Sequence, residues 1–181
     1  MKPASGMSAR YEEVRRLMLA RYVVRVRKWR SSTSGVAWQL TYQDGSVSRL
    51  IESPKPTGPV SVAVFLHEIG HHAIGFGRFR PRCLEEYHAW AFAFWQMREH
   101  ELNITDRVRQ RCADALLYAV AKARRRGLKQ VPGELAQYLI AVDAQGVGAG
   151  DALLIASAKR ADAEARTAGS DGDACGGVEV G

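Results

Sequence analysis

Two histidines and one glutamate form the pattern His67-Glu68-x-x-His71, directly after an apolar run that extends from Val62 to Leu66. Residues four apart lie on one face of a helix, so both imidazoles can bind one metal ion. Glu68 lies one step round the helix, where it can accept a proton from a water on that metal. The alternative is a chance match on a buried helix, with both histidines held by hydrogen bonds. The apolar run favours the metal, because a hydrocarbon shell keeps such a site dry.

A catalytic zinc site needs a third protein ligand and leaves one position for water. Glu85 and Glu86 open the next predicted helix, after a loop short enough to bring it back to the histidines. The two glutamates are about 100° apart on a helix, so only one can face the metal directly. Both faces of that helix are apolar, so burial alone leaves the choice between them open.

Metal-assisted hydrolysis at such a site would also need a group that binds the carbonyl oxygen of the substrate. Four side chains near the two motifs are candidates for this role, and the sequence leaves all four open: His72, Arg80, Tyr87 and His88.

The elements around these residues predict an α+β fold with an N-terminal helix, a small three-stranded sheet and a helical C-terminal part. The first helix begins at about Ser8, its expected N-cap, and carries apolar residues on one side. These residues are Tyr11, Val14, Leu17 and Met18. Three strands are predicted at 22–30, 36–43 and 46–51, and Asp44-Gly45 predicts a hairpin with a type I′ turn.

The motif helix is predicted to have Pro59 in its first turn and to end near Gly75 or Gly77. Glycine at position 70 lowers helix propensity, and a close crossing by a second helix would explain it. Three more helices follow at 83–99, 105–126 and 132–142. The helix at 83–99 is apolar nearly all round, which is typical of a buried helix.

The chain has 181 residues and a net charge of +7 that is unevenly distributed. From Glu134 onward there are eight acidic and three basic residues, a net charge of −5, so the preceding part carries +12. We expect one domain over 8–142 and a flexible acidic tail over 143–181, in which the pattern permits one helix. A basic domain of this kind permits binding to nucleic acid or another acidic partner.

Cys83, Cys112 and Cys175 are widely spaced, so they predict neither a disulfide framework nor a cysteine zinc site. No apolar stretch is long enough to span a membrane. The N-terminal residues lack the apolar core of a signal peptide. These features favour a cytoplasmic protein with no membrane partner.

The two motifs together resemble the gluzincin pattern of the ImmA/IrrE-type metallopeptidases. The matching residues are His67-Glu68-Ile-Gly-His71 followed by Glu86-Tyr-His-Ala89-x-x-Phe92-Ala93, within a similar order of elements over residues 8–100. The resemblance implies a zincin-like fold, a zinc cofactor held by His67, His71 and Glu86, and Glu68 as the general base. It also implies a peptidase whose substrate is a protein, in this family a DNA-bound repressor or regulator.

The chain departs from the family pattern in several respects. Trp90 stands where the family has an asparagine, and a recognisable helix-turn-helix domain is missing. With Glu86 as the ligand, we expect Glu85 at the rim of the site, paired with one of three nearby arginines. These are Arg78, Arg80 and Arg82.

Two other functions are compatible with the sequence. One is a nucleic-acid-binding regulatory protein that keeps a zincin fold with a structural metal and binds through the basic segments 21–30 and 124–129. The other is an adaptor whose acidic tail folds onto the basic domain. An intact Glu68 favours the peptidase, because a structural metal site has no use for a base.

Overall fold

The computed structural model describes residues 6–136, which form an α+β fold. The elements in chain order are α1 (Gly6–Arg21), β1 (Val24–Arg30), β2 (Val36–Thr41), β3 (Val47–Pro54), α2 (Pro59–Ile74), α3 (Arg82–Glu99) and α4 (Asp106–Arg125). Residues 133–136 are also helical, at the start of the predicted 132–142 helix. The predicted class and the small sheet are confirmed. The rest of that helix, the boundary at 142 and the tail over 143–181 lie outside the described residues.

The three strands form a mixed sheet in the order β1-β3-β2. The central strand β3 is parallel to β1 and antiparallel to β2. The loop over 31–35 therefore has to cross the end of β3 to connect the two outer strands. This crossing brings Gly35 beside Glu68 of α2.

The hairpin between β2 and β3 is confirmed, but its predicted type I′ turn is wrong. A type I′ turn needs positive φ at both central residues. Here only Gly45 has positive φ, at 82°, and its N–H donates to the carbonyl of Tyr42. Asp44 instead accepts hydrogen bonds from the backbone and hydroxyl of Ser46.

Helix α1 packs on the core through Tyr11, Val14 and Met18, as its spacing predicts. Two details of the prediction are wrong. Leu17 is 39% exposed, because it lies beyond the edge of the buried stripe. Ser8 is not the N-cap, since the helix begins two residues earlier, at Gly6.

Helix α2 is buried along its whole length from Val62 to Ile74. It starts at Pro59, as predicted, and the Ser61 hydroxyl accepts hydrogen bonds from the backbone N–H groups of Thr57 and Gly58. These bonds satisfy donors that a helix start would leave unpaired. The helix ends where Gly75 adopts a φ of 84°, which glycine tolerates without strain.

Helix α3 crosses α2 so closely that Gly70 is required at the contact. A Cβ on Gly70 would lie 2.7 Å from the carbonyl oxygen of Ala89 and 3.1 Å from its Cα. The predicted close crossing is therefore confirmed. It fixes the first turns of α3, which carry Glu85 and Glu86, against the face of α2 that carries the histidines.

Helix α4 returns antiparallel to α3 after a short loop and closes the other side of the core. Thr105 is its N-cap, and its hydroxyl accepts from the backbone N–H of Val108. Its buried stripe consists of Val108, Cys112, Leu116 and Val120. Gly127, with a φ of 95°, follows the C-cap, Arg126.

Within residues 6–136, every helix is too short or too polar to cross a bilayer.

Replacing Gly70 with alanine should destabilise the protein even though alanine favours helix. The added Cβ would press on the α3 backbone, and overpacking of this kind costs about 1–3 kcal/mol in the free energy of unfolding. Denaturant titration followed by circular dichroism measures this loss. Gly133→Ala is the control, because a Cβ there meets nothing within 4 Å. Equal midpoints for Gly70→Ala and the unchanged protein would contradict the close crossing.

Candidate metal centre

Helices α2 and α3 bring His67, His71 and Glu86 together around one point. One ligand atom of each residue lies within 4.8 Å of the other two. Glu86 Oε2 is 3.3 Å from His67 Nε2 and 3.5 Å from His71 Nε2. Two imidazole nitrogens and one carboxylate oxygen at these separations could hold a metal ion.

Glu85 contacts His71 at Nδ1, the ring nitrogen that faces away from Glu86. The prediction that Glu85 lies at the rim of the site is wrong. It is only 1% exposed, and its Oε1 is 3.2 Å from His71 Nδ1. Its Oε2 accepts a 2.8 Å hydrogen bond from the backbone N–H of Gly77. The expected arginine partner is confirmed as Arg82, at 3.1 Å. With Nδ1 held in this way, His71 Nε2 faces Glu86, an arrangement typical of metal-ligating histidines.

The protonation of the cluster follows from burial and from the paired carboxylates. Burial lowers the pKa of His67 to about 4. Burial acts in the same direction on His71, but the carboxylates of Glu85 and Glu86 outweigh it and raise the pKa to about 9. For Glu86, burial favours the neutral acid, yet the two histidines hold its pKa well below its usual range. Glu86 is therefore a carboxylate, the form that binds a cation.

His67 lies against Trp90 and has a buried ring nitrogen that accepts or donates no hydrogen bond within residues 6–136. The two rings stack with centroids 4.5 Å apart. His67 Nδ1 and Trp90 Nε1 are both buried and find no hydrogen-bond partner among the described residues. The Trp90 indole thus forms an aromatic wall that fixes the orientation of the His67 ring by packing.

Glu68 lies beside the cluster and points to the loop between β1 and β2. It is 4% exposed, and burial raises the pKa of its carboxyl to about 7. The carboxyl packs on the Cα of Gly35, where a Cβ would lie 2.6 Å from the Glu68 carboxyl carbon. Gly35 thus leaves the space that this side chain occupies.

A cavity of about 940 Å³ opens over the cluster, and α4 forms its far wall. Glu68, His67 and Glu86 line its inner end, and Arg111 lines the same end from α4. The Arg111 guanidinium is 5.8 Å from the centre of the Trp90 ring, and its Nε donates to the carbonyl of Thr33 at 3.1 Å. Its positive charge is near enough to act on both His67 and Glu68.

The four side chains that the sequence offered for binding a carbonyl oxygen do not line this cavity. His72 points toward the sheet, with Nε2 3.1 Å from the carbonyl oxygen of Leu50. His88 stacks on Phe79 at 3.8 Å. Tyr87 is buried, and Arg80 is exposed outside the cavity.

Sequence reasoning missed Arg111 and Gly35 as members of the site. Arg111 had a weak signal, since it is one position before Cys112 and therefore lies at the margin of the buried stripe of α4. Gly35 had no such signal, because a turn of serines and glycine does not indicate which helix it will contact.

Comparisons of the chain with protein-family models, curated proteins and solved structures found no match.

Glu86→Ala should lower metal affinity far more than Glu85→Ala. The first change removes a ligand, whereas the second removes a partner of His71, which typically costs about 10- to 100-fold. Competition with a chromophoric chelator, using zinc as the probe, measures both affinities. Glu13→Ala, on the exposed side of α1, is the control and should bind as the unchanged protein does. Tighter binding by Glu86→Ala than by Glu85→Ala would make Glu85 the ligand.

Proposed function

We propose that the protein is a zinc-dependent peptidase that hydrolyses a peptide bond in a protein substrate. The observation that carries this proposal is a buried glutamate, Glu68, adjacent to a His-His-Glu group at the inner end of an open cavity. A metal with only a structural role would need neither the cavity nor a carboxylate that is not part of the ligand group.

The donor set supports zinc as the ion. Zinc binds imidazole nitrogen and carboxylate oxygen, and two histidines with one glutamate are among the three-ligand sets of catalytic zinc sites. His67, His71 and Glu86 would hold it, with His71 oriented by Glu85. When bound, zinc supplies a Lewis acid that polarises a carbonyl group and favours ionisation of water.

Glu68 is the general base in this proposal. It accepts a proton from the attacking water and later gives that proton to the leaving amine. Its burial keeps the carboxyl out of bulk water. Because Gly35 has no side chain, the Glu68 carboxyl can lie directly against the loop between β1 and β2. The hydrogen bond from Arg111 to the carbonyl of Thr33 connects this loop to α4.

We assign to Arg111 the role of binding the carbonyl oxygen of the substrate. Arg82 also lines the cavity, but its guanidinium is paired with Glu85 and Glu86. Among the described residues, Arg111 donates one hydrogen bond, to the carbonyl of Thr33, which leaves further N–H groups of its fork for a developing oxyanion.

The resemblance to ImmA/IrrE-type enzymes supports a cytoplasmic protein whose substrate is a repressor or regulator bound to DNA. Cys83 and Cys112 are free, buried thiols, which suits a reducing compartment. The alternative, nucleic-acid binding through the basic strand β1, has less support. Arg27 and Arg30 on that strand are paired with Glu52, at 2.8 and 3.0 Å.

Glu68→Gln should abolish peptide hydrolysis while zinc content and fold stay unchanged. The amide fills the same volume but cannot accept the proton of the attacking water. Zinc is measured by elemental analysis, the fold by circular dichroism and hydrolysis with casein as a general substrate. Glu13→Gln serves as the matched surface control. Undiminished hydrolysis in Glu68→Gln would mean that another group is the base.

Gly35→Ala should also lower hydrolysis, by about tenfold or more, at unchanged zinc affinity. The new methyl group displaces the Glu68 carboxyl, and misplacement of a catalytic group by about 1 Å can cost about 100-fold. Gly58→Ala is the control, because a Cβ there meets nothing within 4 Å. Full activity of Gly35→Ala would show that the contact with Glu68 does not position the base.

A further inference from the structure

We propose that the outer part of the cavity, here called the α4 groove, binds an extended acidic segment of the substrate. The groove is the channel between α4 and the start of α3, and Lys122 and Arg126 are the cations at its outer end. The proposal rests on the proposed peptidase only for the statement that the bound chain is cut. Binding itself requires no hydrolysis.

One face of α4 forms the length of the groove. Arg111, Ala115, Ala119, Lys122 and Arg126 recur every three or four residues and all line the cavity. Side chains with this spacing lie in one row along a helix. The row starts beside the metal ligands, at Arg111, so a chain lying in the groove would also pass the metal centre.

The floor and wall of the groove suit a peptide. The alanines at 115, 119 and 123 leave space above the helix, while Tyr118 stands beside them with 62% of its surface exposed. The Lys122 ammonium lies 5.9 Å from the centre of the Tyr118 ring. An exposed tyrosine next to a shallow apolar floor offers contact area to side chains of a bound segment.

The charges in the groove favour acids at one end only. Lys122 and Arg126 at the outer end have no ion-pair partner among the described residues. Nearer the metal, Asp114 lines the groove, and Glu68 and Glu86 lie beyond it. A phosphate backbone would carry a charge at every step past these carboxylates, whereas a peptide can be neutral there and acidic further out. The occupant is therefore a peptide and not a nucleic acid.

Helix geometry sets the distance between the acids and the metal centre. Arg111 and Lys122 are separated by about 16 Å along the axis, and Arg111 and Arg126 by about 22 Å, at 1.5 Å per residue. An extended peptide rises about 3.3 Å per residue, so these distances correspond to about five and seven residues. We therefore expect acidic side chains five to seven positions from the bond at the metal.

The test measures binding to the zinc-loaded Glu68→Gln protein by fluorescence anisotropy. Labelled peptides of sixteen residues carry glutamate at positions five to seven from the central bond, on one side of it or on the other, or glutamine at the same positions. At near-physiological salt, one of the glutamate peptides should bind at least about tenfold tighter than its glutamine counterpart. Equal affinities for all peptides would overturn the proposal.

Charge reversal identifies the site of binding. K122E/R126E should lose the preference for glutamate and gain one for lysine at the same positions. R107E/R125E, two exposed arginines on α4 outside the groove, changes the net charge equally and should keep the preference. If circular dichroism shows that K122E/R126E is misfolded, K122Q/R126Q replaces it. An equal loss in both double variants would overturn the proposal.

Two further outcomes separate this proposal from others. A single-stranded oligonucleotide that displaces the acidic peptide at lower concentration, through Lys122 and Arg126, would contradict the peptide assignment. Selective peptide binding without hydrolysis of any peptide by the unchanged protein would leave the groove intact and overturn the peptidase. Hydrolysis of peptides with no preference for acidic ones would support the peptidase and overturn the proposed role of the groove.

Discussion

The close crossing of α2 and α3 at Gly70 is the contact on which the candidate metal centre depends. Because glycine has no side chain, the backbone of α3 at Ala89 can lie directly on α2, between the turns that carry His67 and His71. That approach places the start of α3, with its two glutamates, over the histidines. A larger residue at position 70 would separate the helices and with them the ligands.

The two glutamates at the start of α3 have different roles because their side chains point in different directions. Glu86 faces the point between the two imidazoles, while Glu85 holds the far nitrogen of His71 and the backbone of Gly77. Burying so much charge is costly unless each group is paired. Arg82, which contacts both carboxylates from the rim, completes that pairing. The cluster is thus a connected polar network inside an apolar shell.

The sequence predicted what depends on local periodicity and missed what depends on long-range contacts. The i, i+4 spacing placed His67 and His71 on one face, and glycine at position 70 correctly indicated a helix crossing. The same reasoning wrongly put Glu85 at the rim, because α3 is apolar on both faces and burial could not orient it. Gly35 could not be predicted, since its contact with Glu68 arises from a loop that crosses a strand whose neighbours the sequence does not specify.

X-ray absorption at the zinc edge tests the central claim, that two histidines and Glu86 hold the metal, most directly. Zinc held by these three residues should show a first shell of nitrogen and oxygen atoms at about 2.0–2.1 Å, with the multiple scattering of two imidazoles. Glu86→Ala should keep that imidazole signature while losing one oxygen. A sulfur atom at about 2.3 Å, which would indicate a cysteine ligand, or the absence of imidazole scattering would contradict it.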